Sequence, residues 1–128
     1  MINAVLDTNI LVSGLLTADG NPSKVINFLK DKRFTAVYND EIIAEYRDVL
    51  FRDKLGLNAK DVEDLLGEIT KIGFPNVPAK SGIPLPDEDD RVFYDTAKSI
   101  DAYLVTGNLK HFPKDPHIIT AVDFVKLF

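Results

Sequence analysis

Ile2-Asn3-Ala4-Val5-Leu6 is an apolar run that stops at Asp7 and passes into Thr8-Asn9. A run this short, apolar on both alternating faces, predicts a buried strand of a parallel sheet. A helical stretch follows, and another starts after Asn21-Pro22-Ser23, with Val25, Ile26, Phe28 and Leu29 apolar. Thr35-Ala36-Val37-Tyr38 reads as a second strand. Asn39 or Asp40 then caps a helix in which Ile42, Ile43, Tyr46, Val49 and Leu50 recur at helical spacing. Asn58 caps the next helix, Val62, Leu65, Leu66, Ile69 and Ile72 share one of its faces, and Gly73 ends it. The proline-rich stretch Phe74 to Pro86 reads as an irregular connection across the fold. Asp87-Glu88-Asp89-Asp90 opens another helix, Ala102 to Thr106 is a strand broken at Gly107, and His117-Ile118-Ile119 is the last strand. Thr120 caps a final helix. Strands alternating with helices predict one α/β domain over residues 1–128, with a mainly parallel sheet covered on both faces. Ligands of such sheets bind beyond the carboxyl ends of the strands. That places Asp7, the start of the helix after Tyr38, and Thr106-Gly107-Asn108 where chemistry is expected.

Composition narrows the chemistry. The chain has 128 residues, no cysteine, 20 acidic and 15 basic side chains, and a formal net charge of −5. Without cysteine there is no disulfide scaffold, no thiolate-bound zinc or iron–sulfur cluster and no thiol nucleophile. This agrees with a cytoplasmic setting. No apolar run reaches the roughly 18 residues of a membrane span, and Asp7 interrupts the only early apolar stretch, which argues against a signal peptide. The negative charge argues against nucleic-acid binding through the overall field. It is compatible with acidic residues gathered around cations.

Three carboxylates stand out. Asp7 ends the first strand; a helix cap and a metal-binding carboxylate are both open readings. Glu45 lies between Ile42 and Val49 and so interrupts an apolar helix face, where an acid needs a partner, a proton or a cation. Arg47 points elsewhere on that helix, so a salt bridge to it is not the answer. Asp90 heads the stripe Asp90, Phe93, Ala97 and Ile100, although first-turn acids are also favoured by the helix dipole. Oxygen donors of this kind suit Mg²⁺ or Mn²⁺. His111 and His117 lack metal-ligand spacing and read as surface or loop residues. No nucleophile triad or phosphate-cradling glycine loop is present.

The segments Val5-Leu6-Asp7-Thr8-Asn9-Ile10-Leu11-Val12-Ser13, Glu41 to Leu50, Asp89-Asp90 and Leu104-Val105-Thr106-Gly107-Asn108 together resemble PIN-domain ribonucleases, and within them the VapC-like toxins of toxin–antitoxin systems. The resemblance runs nearly end to end and keeps the order and spacing of the acidic positions. It implies a three-layer α/β/α fold and an Mg²⁺- or Mn²⁺-dependent endoribonuclease with Asp7, Glu45 and Asp90 as metal-binding and catalytic residues. Thr8, Asn9, Ser13, Thr106 and Asn108 would orient ligands or waters. It also implies an RNA substrate, a cognate antitoxin, a homodimer and no membrane association. One departure is clear: the segment that ends in Asp in the family carries Asn108 here, which can accept a hydrogen bond but brings no charge. Asp95 is the candidate replacement, about 140° around the helix from Asp90; the alternative is an exposed acid paired with Arg91. Lys24, Arg47, Lys110 and Lys114 are the bases offered to RNA. Two other readings stay open. One is a PIN-like domain without catalysis, favoured by Asn108. The other is a metal-binding signalling receiver domain, which lacks its paired acids here.

Overall fold

A computed structural model describes all residues, 1–128. The central strand β1 is Asn3–Leu6, and its Ala4, Val5 and Leu6 are almost fully buried, as a strand covered on both faces requires. The others are β2 (Thr35–Tyr38), β3 (Phe74–Pro75), β4 (Tyr103–Val105) and β5 (Ile118–Ile119). All pair in parallel, in the order β3-β2-β1-β4-β5. Ala4 sits opposite Ala36 on one side and Tyr103 on the other, so β1 is the axis of the sheet.

Six helices flank it: α1 (Thr8–Leu16), α2 (Asn21–Lys30), α3 (Asp40–Leu50), α4 (Ala59–Ile72), α5 (Arg91–Ser99) and α6 (Ala121–Val125). Local chemistry sets their starts. Asn39 Oδ1 accepts from the Ile42 N–H at 2.9 Å, Asn58 Oδ1 from Asp61 at 3.1 Å, and Thr120 Oγ1 from Asp123 at 3.2 Å. Each satisfies an amide that the first helical turn leaves without a carbonyl. α2 packs on both α1 and α6, α4 on β2, and α5 against β1, β2 and β4. Their inner faces join the strands in a single core of 28 buried apolar residues.

The sheet is wholly parallel, and the three-layer α/β/α expectation agrees with it. Three details differ from the sequence reading. Phe74-Pro75 is a fifth, edge strand rather than part of an irregular connection. Proline is tolerated there because an edge strand has one unpaired side. Asp87–Asp90 does not open α5: Asp87 Oδ1 accepts from Asp89 N at 2.9 Å, Glu88–Asp90 close a 3₁₀ turn, and the α-helix begins at Arg91. The last two strands are shorter than expected, Tyr103–Val105 and Ile118–Ile119, leaving Ala102, Thr106 and His117 outside them.

Gly73 ends α4 where the helix meets β2. A Cβ there would lie 2.3 Å from the Ile69 carbonyl oxygen and 2.6 Å from that of Ala36. Both obstacles are backbone and neither can rotate away. Gly67, on the exposed face of α4, has no neighbour within 4 Å of the same position. Gly73→Ala is therefore expected to lower stability by about 1–3 kcal/mol through overpacking. Gly67→Ala should raise it by roughly 0.5–1 kcal/mol through helix propensity. Urea midpoints of the two variants check the opposite signs.

Candidate functional site

The chain travels from β1 outward to β2 and β3, then returns to the other side of β1 to form β4 and β5. The reversal leaves a crevice between the carboxyl ends of β1 and β4, where open parallel sheets bind ligands. Asp7 follows β1 and Thr106 follows β4, so both stand at this point.

Asp7 is 6 % exposed. It occupies the residue before α1, yet its side chain does not cap that helix. Instead Oδ2 accepts from the Thr106 hydroxyl at 2.7 Å, and the Asn9 amide lies 3.4 Å away. Asn9 Oδ1 in turn accepts from Gly107 N at 3.1 Å, and Thr106 Oγ1 accepts from Asn108 N at 3.0 Å. These bonds knit the end of β4 to the start of α1. Below them the Tyr46 hydroxyl, buried in α3, donates to the Leu6 carbonyl at 2.5 Å. Burial, and then the Asp7 charge, hold the Tyr46 phenol far above its ordinary range, so it remains a donor. Thr8 Oγ1 is buried with no hydrogen-bond partner.

Asp90 comes from the 3₁₀ turn before α5 and its side chain is 14 % exposed. His111 Nδ1 lies 2.9 Å from its Oδ2. Glu45, half-buried on α3, makes no hydrogen bond or ion pair, and Arg47 is committed to Glu63 at 2.6 Å. Burial is the largest cause raising the acid pKa of each of these three carboxyls. The Asp7 charge adds to the rise at Asp90, where His111 opposes it. At Glu45 the charges of Asp48, Asp89 and Asp7 add to burial, while Arg52 opposes. The Asp7 charge is thus felt at both of the other acids, each on a separate element. They do not form a finished cage: no three carboxylate or imidazole groups are gathered as a coordination sphere. Glu45 and Asp89 face a cleft of about 670 Å³ bounded also by Lys80 and Asp95, while Asp7 and Asp90 lie outside its lining.

The remaining sequence candidates fall into two groups. Thr106, Asn9 and Asn108 surround Asp7 as described. Ser13 is exposed and makes no contact with Asp7, but it lines a groove with Asn9, Thr106 and Asn108. Asp95 is not an available ligand. It is 4 % exposed, and Ser81 engages both of its oxygens, through N at 3.0 Å and Oγ at 2.6 Å. It does pair with Arg91, Oδ1 to a guanidinium nitrogen at 3.9 Å, but as a buried acid and not the exposed one expected. The buried carboxylate anchors the 76–87 segment, which Arg91 also holds by donating to the Ser81 and Ile83 carbonyls. The receiver-domain reading fails too: it needs a phospho-accepting aspartate at the end of a middle strand, and Asp53, the mid-chain acid weighed for that part, sits in an exposed 3₁₀ turn. Sequence reasoning missed His111. Its only sequence signal is its place three residues beyond Asn108.

A family model described as PIN domain matches residues 3–110. No curated protein matches the chain by sequence. Among solved structures, PAE2754 from Pyrobaculum aerophilum is similar at TM-score 0.62 and 14 % identity, covering 98 % of this chain and 88 % of that one. VapBC2 from Rickettsia felis, bound to a DNA fragment from its promoter, is similar at TM-score 0.57 and 17 % identity, covering 93 % and 97 %. At these identities the likeness is one of fold.

Crowded buried carboxylates have a consequence for stability without metal. A carboxyl whose folded pKa is raised binds its proton more tightly in the folded state. Its contribution is complete below the ordinary carboxyl range and is lost as pH rises through the raised value. At neutral pH the charged Asp7 therefore opposes folding. An asparagine in its place would carry no such charge, and its amide oxygen could still accept from Thr106. In metal-free protein at pH 7, Asp7→Asn is expected to raise the Tm by a few degrees. The gain should shrink as pH falls through the raised Asp7 pKa. Calorimetry of both proteins across this range checks the sign, and a lower Tm for the variant at pH 7 would refute it.

Proposed function

The chain belongs to the PIN-domain family, and from that premise we propose that it is a divalent-metal-dependent endoribonuclease, the toxin of a toxin–antitoxin pair. One observation carries the reading: Asp7, Glu45 and Asp90 come from three separate elements, burial pushes each above its ordinary range, and the Asp7 charge adds to the rise at the other two. Acids arranged at such a cost are suited to a cation.

The donors fit a hard metal. They are oxygens, and the buried, unpartnered Thr8 hydroxyl beside Asp7 is a further oxygen that no protein group satisfies. Asp7, Glu45 and Asp90 would hold Mg²⁺ or Mn²⁺. A bound ion supplies Lewis-acid polarisation of the scissile phosphodiester and lowers the pKa of an attacking water. The chain's own part is orientation. Thr106 and Asn9 fix the Asp7 carboxylate, and Tyr46 fixes the strand end that carries it. Glu45, unpaired at the cleft, is placed to take up a proton.

An RNA backbone needs positive charge close to these acids. Of the four bases offered, Arg47 is tied to Glu63. Lys110 and Lys114 flank His111 and line a cavity of about 640 Å³ with Leu109 and Phe112, so they support the RNA reading best. The toxin assignment, with an antitoxin partner, draws on the likeness to VapBC2. A homodimer belongs to the same proposal. No helix is long and apolar enough to cross a membrane, and a cytoplasmic setting goes with the absence of cysteine.

A second reading, a PIN-fold module that binds without cleaving, is favoured by Asn108 and by the absence of a finished three-ligand group. One experiment separates the two. Purified protein is incubated with single-stranded and structured RNA in Mn²⁺ or Mg²⁺, with and without EDTA. Cleavage that EDTA abolishes is the expected result. Asp7→Asn, Glu45→Gln and Asp90→Asn should each slow it by about a hundredfold while keeping the native circular dichroism. RNA retention without cleavage in either metal would establish the binding module instead.

A further inference from the structure

The segment after β4 returns on itself. Thr106 Oγ1 accepts from Asn108 N, Leu109–His111 close a 3₁₀ turn, and the His111 N–H donates to the Asn108 carbonyl at 3.0 Å. The turn leaves the two side chains in different places. Asn108 is exposed, and its amide group makes no hydrogen bond. His111 is drawn back against Asp90, Nδ1 to Oδ2 at 2.9 Å. The position that would supply a fourth charge thus carries an exposed, unbonded amide, and an imidazole three residues later reaches Asp90.

The spacing is informative. A carboxylate oxygen and an imidazole nitrogen in direct contact can serve one cation together once the proton between them is gone. Asp90 Oδ2 and His111 Nδ1 are in such contact, at the 2.9 Å of a hydrogen bond. The imidazole is also only part-exposed, at 41 %, so it is accessible without being free to swing. His117 provides the contrast. It pairs with the exposed Asp101 at 3.2 Å and packs on the Tyr103 ring, with no link to these carboxylates.

We propose that His111 is a ligand of the divalent-cation site, in the place that Asn108 leaves without charge, and that it gives the site a preference for Mn²⁺ over Mg²⁺. The proposal rests on the reading of Asp7, Glu45 and Asp90 as metal ligands. For Nδ1 to bind the ion, the ring carries its proton on Nε2. Imidazole nitrogen favours first-row transition metals, whereas Mg²⁺ favours oxygen and water. An aspartate at position 108 would restore an all-oxygen set.

The test uses metal alone, without RNA. Mn²⁺ and Mg²⁺ affinities are measured by calorimetry, and the pulsed EPR of bound Mn²⁺ is examined for coupling to a ligand nitrogen. In the unaltered protein the nitrogen coupling is expected, with Mn²⁺ bound more tightly than Mg²⁺. His111→Gln should remove the coupling and weaken Mn²⁺ by about tenfold while changing Mg²⁺ little. His117→Gln should change neither. The double variant His111→Gln with Asn108→Asp should recover cation affinity without a nitrogen signal, which also guards against a folding defect. Coupling that is absent from the unaltered protein, or that persists in His111→Gln, overturns the ligand assignment while Asp7→Asn still abolishes Mn²⁺ binding. If Asp7→Asn leaves Mn²⁺ affinity unchanged, or the unaltered protein binds no Mn²⁺, the metal-centre reading itself fails.

Discussion

A carboxylate held at the buried carboxyl end of a central parallel strand is the constraint on which the rest of this molecule is arranged. Asp7 cannot leave that place, because the strand before it is enclosed on both faces and its own N–H donates to the Val105 carbonyl at 2.9 Å. A buried acid without partners is costly. Part of the cost is offset by the Thr106 hydroxyl and by the backbone amides of Thr8 and Asn9. The remainder stays as a raised pKa. The surroundings are therefore organised to hold the group still rather than to neutralise it. Tyr46 secures the Leu6 carbonyl from beneath, and Asn9 links α1 to Gly107 from the side.

The second organising feature is the segment between β3 and α5. It has little regular structure, yet it is tied at both ends. Asn39 caps α3 with its oxygen and donates through its amide to Asn76 O at 3.0 Å and Thr96 Oγ1 at 2.9 Å. Arg91 and Asp95 take hold of Ser81 and Ile83. A buried polar network is stable only when its members are satisfied, and here the backbone of the segment supplies the partners. This places Lys80 on the wall of the cleft that Glu45 and Asp89 face. The same network explains why Asp95, a titratable residue little more than one turn from Asp90, serves the architecture and not the acid group.

Much of this was legible in the sequence, and the reason differs from feature to feature. Buried strands and amphipathic helices are properties of neighbouring residues, so β1, β2, β4, α3 and α4 could be read from apolar periodicity, and Asn39, Asn58 and Thr120 from capping chemistry. β3 was not legible, because two residues with a proline carry no periodicity and owe their pairing to β2. Asp7, Glu45 and Asp90 could be singled out because each interrupts an apolar pattern, and an interruption is visible along the chain.

By itself, then, the sequence determined the α/β class, the helix caps and the positions of the acids Asp7 and Glu45 at a strand end and on a helix face, since all of these follow from residues within a turn or two of one another. Only the tertiary structure decided their partners. The Thr106 bond to Asp7 joins residues 99 positions apart, the His111 contact with Asp90 spans 21, and the Ser81 hold on Asp95 spans 14. Contacts of that kind exist only once the sheet has reversed direction beside β1 and the turn after Asn108 has closed. No local pattern records them, because the free energy that selects them comes from packing elements that the chain itself keeps far apart.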